Sequence, residues 1–192
     1  MTATLLLLLA FGAAQSAKDA PPLFQLRDVN GVEHRAFADS KVKAAVLIFV
    51  LTDCPIANSY APEIKRLCDD YGKRGVRFYL VHVDPELSVA DAKKHSSEFG
   101  HTCPIVLDKT HELVRRAGAT KVPEAAVFTP DGQRRYRGRI DDLYVAPGKR
   151  REQPTSRDLR VALDALLAGR SVERPVTVAI GCNIPPLPSK GQ

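Results

Sequence analysis

Four cysteines, at positions 54, 68, 103 and 182, are the side chains of this chain whose chemistry depends most on placement. Cys54 is placed for reaction. The apolar run Val46-Leu47-Ile48-Phe49-Val50-Leu51 precedes it and reads as a strand buried on both faces. Thr52-Asp53 ends that run, after which Ile56, Tyr60, Ile64 and Leu67 recur at helical spacing. Cys54-Pro55 therefore falls on a strand-to-helix turn, where unpaired backbone N–H groups and the helix dipole stabilise a thiolate. Pro55 suits a first helical turn, which needs no amide donor there. Without that placement Cys54 would be one more small buried apolar side chain. Asp53 beside it would oppose the thiolate if it were buried close by.

The other three cysteines are candidate partners for Cys54. Cys68 lies 14 residues on, roughly 21 Å along a helix at 1.5 Å per residue, and on the apolar face, so it reads as core. Cys103 precedes Pro104 at a strand entrance and is expected to be partly exposed. Cys182 sits in Ile180-Gly181-Cys182-Asn183-Ile184 near the C-terminus, and is favoured over Cys103 as the partner. Its alternative is a thiol packed with Ile180 and Ile184 against the domain. Arg135, Arg137 and Arg139 alternate and share one strand face, which is either solvated or brings one guanidinium near Cys54. His82, between Val81 and Val83, reads as a satisfied core histidine. His95, His101 and His111 show no metal-site spacing with any cysteine.

The elements that must position these groups follow from the same pattern. Asn30-Gly31 marks a hairpin within 23–37. The strand before Cys54 is followed by a helix over about 58–71, ended by Gly72 and Gly75, and by a second buried strand over 76–83. Ser88 caps a helix to about 99, 104–107 is a short strand, and Thr110 caps a helix over 111–117. Val122-Pro123 leads into a strand over 125–128, turned by Thr129-Pro130-Asp131-Gly132 into a second arm over 133–140. Residues 142–154 read as a loop. Thr155 or Ser156 caps a last helix to about 168, and an extended tail completes the chain.

A chain of 192 residues with 44% hydrophobic and 26% charged residues describes one globular domain of ordinary size. The net charge of +6 favours acidic partners without implying nucleic acid. Residues 4–14 are an apolar run too short to span a bilayer, followed by small residues at Ala13, Ala14, Ser16 and Ala17. Residues 1–17 therefore read as a signal peptide, although Lys and Arg are missing from them, and the mature protein is expected in the periplasm or secreted. Membrane contact is expected only through that segment.

The buried strand, Cys54-Pro55 at the turn, Pro62 eight residues after the cysteine and Val122-Pro123 before an apolar strand together resemble the thioredoxin-like superfamily. Phe24-Gln25-Leu26-Arg27-Asp28-Val29-Asn30-Gly31 resembles its redoxin branch, the alkyl hydroperoxide reductase and thiol-specific antioxidant type. The resemblance covers about 22–170, leaving 171–192 as the tail. It implies an α/β fold with a mixed central sheet and helices on both faces. It also implies a cis Val122–Pro123 bond facing the cysteine and offering the Val122 backbone to a peptide or thiol. An ordinary trans proline at a strand start is the alternative.

The accessory residues depart from every branch. Ala57 stands where dithiol oxidoreductases carry the second cysteine of Cys-x-x-Cys. Leu51 stands where peroxiredoxins carry threonine, with Thr52 one place late, and Asn58 stands where copper-delivering relatives carry cysteine. The expected function is thiol-disulfide oxidoreduction with Cys54 as nucleophile and Cys182 as the resolving thiol, as in two-cysteine peroxiredoxins. Thr52, Pro55, Val122, Pro123 and Arg139 are expected at the substrate. No cofactor or metal is expected. The partners are a thiol or disulfide protein or a hydroperoxide, and an external thiol reductant. A tail reaching a neighbouring copy would make a homodimer. The alternatives are a hydroperoxide reductase using Cys54 and a non-catalytic binding or copper-handling module.

Overall fold

The computed structural model describes residues 25–188, so the expected signal peptide, Phe24 and the last four residues lie outside it. Its elements are β1 (Gln25–Arg27), β2 (Glu33–Arg35), β3 (Ala44–Val50), α1 (Pro55–Ser59), α2 (Ala61–Gly72), β4 (Val76–His82), α3 (Val89–Glu98) and β5 (Ile105–Leu107). They continue with α4 (Glu112–Ala117), β6 (Lys121–Val122), β7 (Glu124–Phe128), β8 (Arg134–Gly138), β9 (Tyr144–Ala146), β10 (Lys149–Arg150), α5 (Asp158–Leu167) and β11 (Cys182–Asn183).

The central sheet has the order β5-β4-β3-β7-β8. β3, β4 and β5 are parallel, whereas β7 and β8 are antiparallel to their neighbours, so the sheet is mixed as expected. Every residue of β3 and β7 is buried, which requires cover on both faces of the sheet. The fold is thioredoxin-like. Chain order reverses at β3, with β4 on one side and β7 on the other. The carboxyl end of β3 is therefore a topological switch point, where open α/β sheets form their crevices.

The Asn30-Gly31 hairpin forms, with the Asp28 carboxylate accepting from the N–H groups of Asn30 and Val32 at 2.8 and 3.0 Å. Ser88 caps α3 through the Asp91 N–H. Three expectations need correction. Residues 142–154 contain the β9–β10 hairpin, because Gly148 takes the left-handed φ of 72° that the turn requires. Neither Thr155 nor Ser156 caps α5. Both donate backbone N–H groups to Asp142, and the helix begins later, after Arg157. Thr110 does not cap α4 either, since His111 occupies that position at φ 55°.

The tail also departs from a simply extended strand. Pro175 and Thr177 exchange backbone hydrogen bonds with Arg137 at 2.9 and 3.0 Å, laying the tail along β8. Thr177 crosses directly over Gly138, where a Cβ would overlap its backbone and hydroxyl. Beyond that anchor, β11 pairs antiparallel with β6.

Candidate active site

Cys54 sits just past the carboxyl end of β3 with extended backbone (φ −86°, ψ 107°) and is the N-cap of α1. Its Sγ accepts from the Ala57 N–H at 3.5 Å and lies 3.5 Å from the Val122 carbonyl oxygen. The side chain is 1% exposed. Asp53 is exposed, so its charge is screened by water and does not set up the buried opposition considered from sequence.

Cys54 is disulfide-bonded to Cys182 of the same chain, with the Cα atoms 6.2 Å apart. The tail delivers that sulfur as a strand: Cys182 is opposite Val122 and Asn183 opposite Lys121. The Val122–Pro123 bond is cis, as the resemblance implies. Cys68 is not a core thiol. It is half-buried and bonded to Cys103, which is thereby taken by α2 and not by Cys54. The helical-face argument found the right side of α2 but not the turn ahead of β5 that packs there.

The loop presenting Val122 is held by Glu124. This carboxylate, 2% exposed, accepts from the N–H groups of Thr120 and Lys121 at 2.7 and 3.1 Å, and pairs with Arg137 at 3.4 Å. On the other side of the cysteine, Asn58 Nδ2 donates to the Thr52 carbonyl at 2.8 Å while its Oδ1 meets His95 Nε2 at 2.9 Å. That amide orientation makes His95 Nε2 the donor. Behind it, His82 and His95 lie ring to ring at 5.1 Å and His95 and His101 at 5.7 Å. His82 is core as expected but not satisfied, since neither ring nitrogen has a partner. Burial, reinforced by His95 and His101, pushes its pKa down to about 3. Tyr60, of the same helical region as Asn58, donates to Asp141 at 2.6 Å, and burial raises the Asp141 pKa.

Of the residues expected at the substrate, Val122 is brought to Cys54 across the fold with cis Pro123 next to it, and Thr52 and Pro55 flank the cysteine in the chain. Pro55 opens α1 and is exposed. Arg139 is not brought in. Its guanidinium is paired with buried Asp158 at 2.8 Å, and β8 lies two strands from β3, about 10 Å at the usual strand spacing. The alternating arginines are not one solvated face either: Arg135 pairs with Asp131, Arg137 with Glu124 and Arg139 with Asp158. Among the described residues, no group of three or more His, Cys, Asp or Glu is arranged to hold a metal ion. Glu124 was missed from sequence, although a lone acid opening the apolar Glu124-Ala125-Ala126-Val127-Phe128 run is a signal that it serves something nearby. Gly181 was missed as well, because only the docked tail shows how closely it passes Val122.

A fold of this kind with a capping cysteine opposite a cis-proline defines a thioredoxin-like redoxin. The family model described as AhpC/TSA matches residues 17–137, well over half of the chain, and the chain belongs to that family. It is 32% identical over 113 residues to the thiol-disulfide oxidoreductase ResA of Geobacillus thermodenitrificans, covering 58% of this chain and 63% of that protein. The chain thus spans somewhat less than two thirds of the curated relatives it matches. A solved structure of an uncharacterized conserved protein from Geobacillus kaustophilus superposes with a TM-score of 0.73 at 34% identity, covering 88% of this chain and 91% of the other. A hypothetical protein from Sinorhizobium meliloti superposes at 0.70 with 24% identity, covering 84% and 89%, and shares the fold.

Proposed function

We propose that the protein is an exported thiol-disulfide oxidoreductase with Cys54 as the nucleophile and Cys182 as its resolving thiol. The observation that carries this reading is the pairing of those two sulfurs beside a backbone edge that holds a cysteine-bearing strand. The likeness to a thiol-disulfide oxidoreductase supports it. So does the site, where among the described residues Sγ hydrogen-bonds with a backbone N–H and a backbone carbonyl. A hydroperoxide would want a guanidinium or hydroxyl there, and Arg139 is engaged elsewhere.

In the reaction, the Cys54 thiolate attacks one sulfur of a substrate disulfide. A Cys54–substrate disulfide forms, the substrate S–S bond breaks, and the departing thiolate takes a proton from water. The Cys182 thiolate then attacks Cys54, forming the Cys54–Cys182 disulfide and releasing the second substrate thiol. Two electrons pass to the substrate, and an external dithiol restores the pair. Thr52, Pro55, Val122 and Pro123 frame the substrate. Export rests on residues 1–17 as a leader and on four cysteines all paired, which fits an oxidising compartment. The redoxin domain then covers 22–170 and the tail 171–192.

Reduction of an insulin-type disulfide by the full chain tests this. The expected result is turnover that Cys54→Ser abolishes and a trapped mixed disulfide in Cys182→Ser. Consumption of hydrogen peroxide with no disulfide turnover would transfer the site to peroxide chemistry. Neither activity, with a partner still bound by Cys54→Ser, would make the protein a binding module.

A further inference from the structure

The strand that occupies the Lys121–Val122 edge describes the ligand this edge accepts. It runs antiparallel, with its cysteine opposite Val122, and that register sets the sulfur against Cys54. The residue before the cysteine is Gly181. A Cβ there would fall well inside the Val122 carbonyl and against Pro123 Cδ. Gly181 is not among the glycines with positive φ, so the glycine is required by closeness and not by conformation. The residue after the cysteine, Asn183, offers Oδ1 to the Lys121 ammonium. Next to it, Ile184 packs against the core. Each position of the strand thus meets a feature of the edge: a carbonyl that excludes side chains, a sulfur, and a cation that wants an acceptor.

We infer that this edge is a sequence-selective docking lane for substrate polypeptides. Its ligand is an extended segment in which glycine precedes the reactive cysteine and a side-chain hydrogen-bond acceptor follows it. Residues 181–183 are the chain's own copy of that ligand, and the buried Cys54 sulfur becomes reachable when they leave. The inference rests on the thiol-disulfide reading above, because the lane matters only if Cys54 exchanges disulfides. β-strand addition supplies main-chain affinity at such an edge, while the contacts at single side chains select the sequence.

The test uses the full chain carrying Gly181→Val and Cys182→Ser, whose own tail fits the lane poorly, reduced so that Cys54 is a thiol. The probes are Ala-Ile-Gly-Cys-Asn-Ile and Ala-Ile-Val-Cys-Asn-Ile, each with its cysteine joined to 5-thio-2-nitrobenzoate. Attack by Cys54 joins it to the peptide sulfur and expels the coloured thiolate, and rates are normalised to those with free glutathione. The glycine peptide is expected to react faster by on the order of tenfold or more, the effect of one misfitting side chain in tight packing. Cys182→Ser alone, with its glycine tail intact, should react several-fold more slowly with that peptide than the double variant. Equal normalised rates for the two peptides, with Cys54 still reactive toward hydroxyethyl disulfide, would overturn the lane and leave the oxidoreductase reading standing. A Cys54 inert to hydroxyethyl disulfide would overturn both. Covalent or tail-exchanged dimers that block the glycine peptide would assign the lane to a second copy and overturn it as a substrate site.

Discussion

Cys68–Cys103 closes a separation of 35 residues and ties α2 to the turn ahead of β5, while Cys54–Cys182 closes 128 and ties the end of β3 to the tail. On loop-closure entropy alone the first is worth about 4 kcal/mol and the second about 5, so the longer bridge should be the harder to lose. Their surroundings point the other way. Cys68 lies within α2, where neighbouring N–H groups are committed to carbonyls four residues back. Cys54 caps its helix, and the Ala57 N–H is directed at its sulfur. A sulfur that leaves as a stabilised thiolate exchanges faster and is reduced more readily. On the proposed function, two bridges of similar entropic weight are thus divided into a staple and a reactive pair by which backbone amides are free.

The contrast breaks first at the nucleophile. Cys54→Ser should cost at least ~10³-fold in disulfide turnover, as removal of a covalent nucleophile does elsewhere, with little change in the unfolding midpoint of the reduced proteins. Equal activity would void the distinction. Next in size, Cys68→Ala with Cys103→Ala should lower stability by about 4 kcal/mol in urea titration and leave disulfide turnover within about twofold. Loss of turnover without loss of stability would mean that the roles are reversed.

Glu124 sharpens the contrast from the polar side, since it holds the loop facing Cys54. In Glu124→Gln the amide oxygen can still accept from the Thr120 and Lys121 N–H groups, but the negative charge facing Arg137 is lost and an NH2 group is set against the guanidinium. The substitution should cost about 2 kcal/mol and also slow turnover, whereas a role in stability alone would leave turnover unchanged.

The smallest effect is a pH slope from the histidines. His82 has its pKa pushed from 6.5 to about 3, so the unfolded chain binds a proton that the folded chain refuses. The stability is whole above about pH 6.5 and declines as pH falls from there toward 3, by about 1.4 kcal/mol per pH unit for this proton. His101, pushed to about 4 chiefly by burial and then by His95, acts with the same sign. Raised Asp141 acts with the opposite sign, and the His82 slope is sought just below its unfolded value, over pH 5.5–7. Denaturant titrations there should show the slope, and His82→Leu should flatten it.

What the sequence disclosed follows from the range of the forces involved. β3, β4 and the Cys54 turn were legible because an unbroken apolar run and its stop are local signals. The cis-proline and the redoxin fold came through the order of short motifs. The Cys68–Cys103 bridge was not legible, because a helical face says what points inward and not which loop meets it. Arg139 failed for a related reason: alternation puts arginines on one face, but acids far along the chain, such as Asp158, decide where each guanidinium goes. His82 was correctly buried, yet its lack of partners depends on three elements meeting. Gly181 and Glu124 gained meaning only once the tail and the loop at 120–122 were seen together.

The anchor of the tail on β8 sets the effective concentration of the second thiol. Thr177 is pinned to Arg137 and Gly138, and Cys182 follows five positions later. Such a tether reaches at most about 17 Å when fully extended, so even a released Cys182 stays confined near Cys54. A confined thiol of this kind competes at millimolar strength, whatever the protein's own dilution. On the proposed function, ring closure at Cys54 is therefore first order, and the mean lifetime of a captured substrate does not depend on protein concentration.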